Sequence, residues 1–98
     1  MKEVAKVFVH WSENGDLTKR CGGKNGDINK ELTLNDFTLK CKAASITAPK
    51  DGTYDKVKYT VFFNNGYIAT FRLDMTQTIF NPKVAIQRYI DRKGIQNA

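Results

Sequence analysis

The chain has 98 residues, 41% of them hydrophobic and 11% aromatic, with a formal net charge of +6. A chain of this length forms one domain with a modest core, which excludes a catalytic domain joined to a separate binding domain. No apolar run approaches the ~18 residues of a membrane span. The composition predicts a single domain over residues 1–98, and the basic surplus favours contact with nucleic acid or an acidic protein surface.

The chemistry of the cysteines and of the N-terminus indicates a cytoplasmic protein. The stretch MKEVAKVFVHW is interrupted by Lys6 and His10, so it does not resemble a cleavable export signal. Cys21 and Cys41 lie outside any CxxC pair, and we expect two reduced thiols. Because His10 is the only histidine, a zinc site would be short of ligands, and we expect neither a metal nor a cofactor.

The first predicted element is a strand over residues 4–11, VAKVFVHW, which alternates between apolar and mixed positions. The cluster SENGD is rich in turn formers and ends it. Residues 17–31 hold three of the seven glycines and show neither helical nor strand period, so we expect an exposed loop there. The two faces of the strand are Val7, Val9 and Trp11 on the dry side and Lys6, Phe8 and His10 on the other.

A short amphipathic helix is predicted over residues 34–44. Thr33 and Asp36 resemble a capping box at its start, with Asp in place of Glu. The apolar residues recur at helical spacing and would face the core. They are Leu34, Phe37, Cys41 and Ala44.

Residues 54–74 predict a β-hairpin. Two alternating runs flank the sequence NNG, and Asn-Gly between such runs is a strong hairpin signal because both residues accept a positive φ. A closing helix then begins near residue 82. Asn81 is predicted to cap it, Pro82 suits its first position, and Gly94 lies where the chain leaves it.

The element order β-α-β-β-α predicts an α+β two-layer sandwich, with a three-stranded, mainly antiparallel sheet and two helices on one face. The covered face of that sheet would be apolar. Its predicted members are Val7, Val9, Trp11, Val57, Tyr59, Val61, Phe63, Ala69, Phe71 and Leu73.

Catalysis is not indicated by the polar residues at the end of the first strand. His10 and Ser12 would project to one face and Glu13 to the other, with no glycine-rich elbow framing the serine. We interpret HWSE as a strand end, with Trp11 closing the core, and predict a protein that is not an enzyme. The stretch GGKNGD at 22–27 lacks the ending of a phosphate loop and is interpreted as a flexible loop.

The uncovered face of the sheet would combine aromatic rings and cations. Single-stranded nucleic acid is held in this way, because bases stack on rings while cations contact phosphates. A solvated antiparallel face and a protein contact explain the same pattern, although two exposed phenylalanines favour a covered surface. The residues on this face would be Lys6, Phe8, His10, Lys58, Thr60, Phe62, Thr70 and Arg72.

Two groups of residues form recognisable motifs, namely Trp11-Ser12-Glu13 and the run of Tyr54, Lys56, Phe63, Gly66, Tyr67, Arg72 and Asp74. The chain resembles the large polyvalent-protein-associated domains of phages and conjugative plasmids over most of its length. The resemblance implies an α+β module of mobile-element origin. A small basic domain of that origin is similar in size and style to anti-defence inhibitors, anti-CRISPR proteins among them.

We therefore predict a phage- or plasmid-borne inhibitor that contacts a nucleoprotein defence complex in the cytoplasm of the host cell. It would act as a monomer or small homo-oligomer, by binding and without turnover. The alternative is a domain that binds nucleic acid directly through the same surface. The predicted contact residues are Lys6, Phe8, His10, Lys58, Phe62 and Arg72 on the sheet, with Arg88 and Arg92 on the last helix and the 17–31 loop beside them.

Overall fold

A computed structural model of the chain describes residues 1–13, 15–47, 55–75 and 81–95. Its four strands form one antiparallel sheet in the order β2-β1-β3-β4. The α+β class is confirmed, but within the described residues the sheet has four strands and not three, and three helices accompany it instead of two. The elements are β1 (Val4–Ser12), α1 (Gly15–Arg20), β2 (Asp27–Leu32), α2 (Leu34–Thr47), β3 (Asp55–Phe63), β4 (Ile68–Met75) and α3 (Pro82–Lys93).

The interpretation of residues 17–31 as an exposed loop is wrong, because this segment contains most of α1 and nearly all of β2. Leu17, Cys21 and Ile28 are buried and attach both elements to the core. The two residues of the tight turn before β2, Asn25 and Gly26, have φ values of 56° and 88°. A two-residue hairpin turn needs this left-handed backbone, which Asn and Gly adopt at least cost.

The two predicted helices and their caps are confirmed. At the start of α2, Thr33 Oγ1 accepts a hydrogen bond from the Asp36 amide at 3.0 Å. At the start of α3, Asn81 Oδ1 accepts one from the Lys83 amide, also at 3.0 Å. Gly94 ends α3 with a φ of 67°, as a left-handed C-cap requires. Among the described helices, none is long and apolar enough to cross a membrane.

The β3–β4 hairpin is also confirmed, although its turn differs from the predicted one. Only Gly66 of the turn has a left-handed φ, at 91°. The amide of Gly66 donates to Phe63 O at 3.1 Å, and Asn65 Oδ1 accepts from the Tyr67 amide at 3.0 Å. Asn65 therefore stabilises the turn through its side chain and not through a positive φ.

Helices α1, α2 and α3 pack on one face of the sheet and, within the described part of the chain, enclose one hydrophobic cluster. The predicted dry face is confirmed for most of its residues, but Trp11 is not among them, and the side chain of Leu73 lies outside the described part of the chain. Ser12 takes the inward position that was predicted for Trp11 and is fully buried. The core residues that strands β1, β3 and β4 supply are Val7, Val9, Val57, Tyr59, Val61, Phe63 and Ala69, with Phe71 partly buried beside them.

Tyr59 lies at the centre of this core with a hydroxyl that has no hydrogen-bond partner among the described residues. Its ring is fully buried, at centroid distances of 5.0 Å from Phe37 and 5.2 Å from Phe71. Burial raises the pKa of Tyr59 far above its usual value, so the hydroxyl stays protonated. Burial of the ring stabilises the fold, whereas burial of the hydroxyl costs hydration free energy that no hydrogen bond among the described residues replaces.

Tyr59→Phe is therefore expected to raise the free energy of unfolding by about 1 kcal/mol, because it removes an unpaired buried hydroxyl and little volume. For a chain of this size the melting temperature would rise by roughly 4 °C. Chemical and thermal denaturation measure both quantities. The control is Tyr67→Phe at an exposed site, with an expected change within about 0.5 kcal/mol. A destabilised Tyr59→Phe protein would mean that the hydroxyl is hydrogen-bonded.

Candidate functional site

The candidate site is the face of the sheet that the helices leave uncovered. Buried and outward-pointing residues alternate along β1, β3 and β4, and the outward-pointing ones form this open face. Lys58, for example, points outward between the buried Val57 and Tyr59. Antiparallel partners point to the same side, and Phe8 faces Thr60 as Lys6 faces Phe62. Six of the predicted contact residues are brought together here, namely Lys6, Phe8, His10, Lys58, Phe62 and Arg72.

Trp11 belongs to the open face as well, because β1 contains a bulge. Val9 pairs with Tyr59 and Trp11 pairs with Lys58, so two steps along β1 match one step along β3. The extra residue turns both His10 and Trp11 outward and returns Ser12 to the core side. The sole tryptophan of the chain, which strict alternation assigned to the core, is half-buried on the open face as the strand partner of Lys58.

His10 is fixed in the middle of the open face by its neighbours. Its Nε2 lies 2.7 Å from Thr60 Oγ1, which in turn lies 2.8 Å from Thr70 Oγ1. The Phe8 ring meets the imidazole edge-on at a centroid distance of 4.9 Å. Desolvation and the nearby charge of Lys58 lower the pKa of His10 below its usual 6.5. His10 is therefore neutral at physiological pH, and the positive charge of the face comes from lysine and arginine.

Lys6 connects a carboxylate and a ring at one side of the face. Its Nζ lies 2.9 Å from Glu31 Oε1 of β2 and 5.1 Å from the centroid of the Phe62 ring. Both charged side chains of this ion pair are well exposed, and such pairs contribute about 0–1 kcal/mol. An anionic ligand can therefore compete with Glu31 for Lys6 at little cost.

Lys58 and Arg72 place two positive charges directly opposite each other on β3 and β4. Neither takes part in an ion pair among the described residues. Like charges in such register destabilise a sheet, so this arrangement is unfavourable for the free protein. An anion bound between the two side chains would remove that repulsion.

The open face carries an exposed aliphatic side chain at the turn end of the β3–β4 hairpin. Ile68 pairs with Phe62, and 60% of its surface is exposed. The adjacent Tyr67 is 52% exposed. An exposed aliphatic side chain opposite an aromatic strand partner favours a contact with another molecule.

Two predicted contact residues lie elsewhere. Arg88 and Arg92 are exposed on α3, which packs on the opposite face of the sheet through Ile86 and Ile90. The Arg92 guanidinium lies 5.6 Å from the centroid of the Tyr89 ring. One flat surface cannot contact the open face and these arginines together.

A concavity lies at the end of the sheet, next to Trp11. Its volume is about 380 Å³, and Trp11, Ser12 and Glu13 line one side of it. The other side is the tight turn formed by Asn25, Gly26 and Asp27. This concavity was not predicted from the sequence, because strict alternation places Trp11 in the core and residues 22–27 were interpreted as a flexible loop. The Asn-Gly pair at 25–26 was the signal that could have revealed a hairpin turn there.

Metal and thiol chemistry receive no support from the geometry of this face. Within residues 1–13, 15–47, 55–75 and 81–95, no three potential ligands from His, Cys, Asp and Glu come together. Cys21 and Cys41 are both buried on the helix side, and no disulfide joins them. Burial raises the pKa of Cys21 to about 11, so its thiol is protonated and a poor nucleophile.

Comparisons with protein-family models, with curated proteins and with solved structures give no match to this chain.

Proposed function

We propose that the protein is a non-enzymatic binding domain whose open sheet face holds single-stranded nucleic acid. The observation that carries this proposal is the position of Trp11, which the β1 bulge places beside Lys58 on the uncovered face. Together with Phe8 and Phe62, Trp11 gives the face aromatic rings among cations that include Lys6, Lys58 and Arg72. The sequence-based preference for a protein-directed inhibitor becomes the second candidate.

The rings provide the sequence-tolerant part of the binding. Phe8, Trp11 and Phe62 are each half-buried on the sheet, so their orientation is held while part of each ring stays accessible. A base stacked on such a ring contributes roughly 1–3 kcal/mol. Because the three rings lie at different positions along β1 and β3, successive unpaired bases would each stack on a different ring.

The cations provide the contacts to the phosphates. Lys58 and Arg72 have no ion-pair partner among the described residues, and the exposed Lys6–Glu31 pair leaves Lys6 available to another anion. Binding of a single strand then releases counterions, with a log–log slope of about 0.7 per phosphate contact. The predicted phosphate path crosses the sheet from β1 to β4, because these cations lie on β1, β3 and β4.

The experiment is fluorescence anisotropy with a labelled RNA of mixed sequence and about ten nucleotides. We expect binding that weakens steeply between about 50 and 200 mM salt, and weaker binding of the matching duplex, whose bases are not available for stacking. Single-stranded DNA of the same sequence tests whether the sugar matters. Failure to bind any of these probes at low salt, or equal affinity for single strand and duplex, would contradict the proposal.

The second candidate is the inhibitor of a nucleoprotein defence complex carried by a phage or plasmid. It is favoured by the apolar end of the open face, where Ile68, with 60% of its surface exposed, is the strand partner of Phe62. Aromatic and aliphatic side chains of this kind form the centres of protein–protein interfaces. The surface would then cover a protein subunit, with the cations at its rim.

Pull-down from a host lysate with and without nuclease separates the two candidates. An inhibitor would recover a protein complex that survives nuclease treatment, and Ile68→Glu would abolish the recovery. A direct binder would recover nucleic acid that disappears with nuclease, with little effect of Ile68→Glu. The same variant in the anisotropy experiment shows whether the apolar end contributes to oligonucleotide binding.

A further inference from the structure

The concavity beside Trp11 differs chemically from the rest of the open face. Three carboxylate or amide side chains surround it, those of Glu13, Asn25 and Asp27, and its aromatic wall is Trp11. The neighbouring sheet surface is basic, with Lys58 as the direct partner of Trp11 on β3. A phosphate is attracted to the sheet cations and repelled by the carboxylates, so a bound strand would turn a base and not its backbone toward the concavity.

The shape of the concavity suits a planar group. Its volume of about 380 Å³ is at the small end of the range for ligand pockets, which is roughly 300–1,000 Å³. On β2, Asp27 is the direct strand partner of Trp11, so a group stacked on the indole has a carboxylate at its edge. A single nucleobase, stacked on one wall and hydrogen-bonded at its edge, fits this description.

The turn that forms the second wall is held in one conformation. The Lys24 amide donates to Asp27 O at 2.8 Å, and the Asp27 amide donates back to Lys24 O at 3.0 Å. Gly23 packs so closely on this turn that a Cβ atom there would lie 2.1 Å from Asp27 O. The amide of Ser12 also donates to Gly26 O at 2.9 Å and fixes the turn to the end of β1. The two walls are therefore preorganised relative to each other.

We propose that this concavity is a nucleobase subsite that selects bases with an exocyclic amino group, guanine foremost, against uracil and thymine. The inference rests on the proposed function and adds base preference to it. Trp11 supplies stacking, and the carboxylates of Asp27 and Glu13 accept hydrogen bonds from the edge of the base.

The order of preference follows from the donors on each base. Guanine presents N1–H and N2–H₂ side by side, which together match the two oxygens of one carboxylate. Cytosine and adenine each present one amino group, to which a carboxylate or the Asn25 amide can bind. Uracil and thymine present a single N3–H between two carbonyl oxygens, and those oxygens are repelled by a carboxylate. Removing a hydrogen bond to a charged group costs about tenfold or more in affinity.

The test uses oligo-uridylate of the length used above, with and without one central guanosine. The wild-type protein is expected to bind the guanosine-containing strand at least about tenfold more tightly, and Asp27→Asn to reduce that preference to about twofold. Glu13→Gln should reduce it in the same direction. The matched control is Glu31→Gln, which removes a carboxylate from β2 outside the concavity and should leave the preference unchanged.

Fluorescence of Trp11, the only tryptophan, reports occupancy of the subsite directly. Stacking of guanine on the indole should quench the emission at the concentrations that raise anisotropy, and Trp11→Phe should bind with a reduced preference for guanosine. Tight binding without quenching, or a preference that Asp27→Asn and Glu13→Gln both leave intact, would overturn the subsite while the proposed function stands. Failure of every oligonucleotide to bind would overturn both.

Discussion

Lys58→Glu is expected to lower the affinity for the mixed-sequence oligonucleotide at least about tenfold while the fold becomes slightly more stable. The substitution removes one phosphate contact and adds an anion at the centre of the open face. It also converts the opposition of Lys58 and Arg72 into an ion pair across β3 and β4, which contributes roughly 0.2–1 kcal/mol. Anisotropy measures the first effect and chemical denaturation the second.

The matched control for Lys58→Glu is Arg88→Glu on α3. Both variants change the net charge by the same amount, but Arg88 lies in the helix layer on the other side of the sheet. We expect Arg88→Glu to change the affinity less than about threefold, since screening at about 0.1 M salt limits charge effects to roughly 10 Å. Equal losses for both variants would mean that net charge and not the open face governs binding. A loss for Arg88→Glu alone would move the contact surface to α3.

The opposite signs of the two effects make Lys58 informative. Substitutions that unfold a protein lose binding and stability together, whereas this one should separate them. Lys58 repels Arg72 in the free protein and would gain an anionic partner in the complex, as expected of a residue on a binding surface. On a face that contacts only solvent, this repulsion would have no compensating advantage. Arg72→Glu should behave in the same way, because it creates the same cross-strand ion pair with the charges exchanged.

The elements with strong local signals were predictable from the sequence. The caps of α2 and α3 are short-range chemistry, in which Thr33, Asn81 and Gly94 each satisfy a helix end. The β3–β4 hairpin combines strict alternation with a turn sequence. These patterns need no information about distant parts of the chain.

Two short elements, α1 and β2, were not predicted because neither is long enough to show a helical or strand period in its apolar residues. The six residues of α1 make less than two helical turns, and β2 buries only Ile28 fully. Both elements depend on the core that Leu17 and Cys21 help to form. Tertiary packing and not local propensity determines their structure.

The site was predictable in part, and the bulge explains the remainder. Lys6, Phe8 and Phe62 follow simple alternation and lie where the sequence places them. Trp11 does not, since one extra residue in β1 reverses the face of every residue that follows it. No residue type at His10 or Trp11 marks the irregularity. The pairing of β1 with both neighbours is therefore what defines the site.

Phe37→Ala and Trp11→Ala are expected to have contrasting effects on stability. Phe37 is fully buried between α2 and the sheet, 5.0 Å from the Tyr59 ring, and its loss should cost about 3–5 kcal/mol. If Trp11 closed the core, as strict alternation predicts, its removal would cost as much. On the open face and outside the core cluster, it should cost only about 1 kcal/mol or less.

When oligonucleotide binding is measured instead of stability, Trp11→Ala should be the more damaging of the two variants. At a temperature where Phe37→Ala remains folded, its affinity for the oligonucleotide should be close to that of the wild type, because Phe37 lies on the far side of the sheet. Trp11→Ala should lose the stacking contribution of one base, about 1–3 kcal/mol, or roughly 5- to 150-fold. A Trp11→Ala protein that unfolds as easily as Phe37→Ala would return the tryptophan to the core and remove the observation on which the proposed function depends. Urea denaturation of the two variants decides this before any ligand is added.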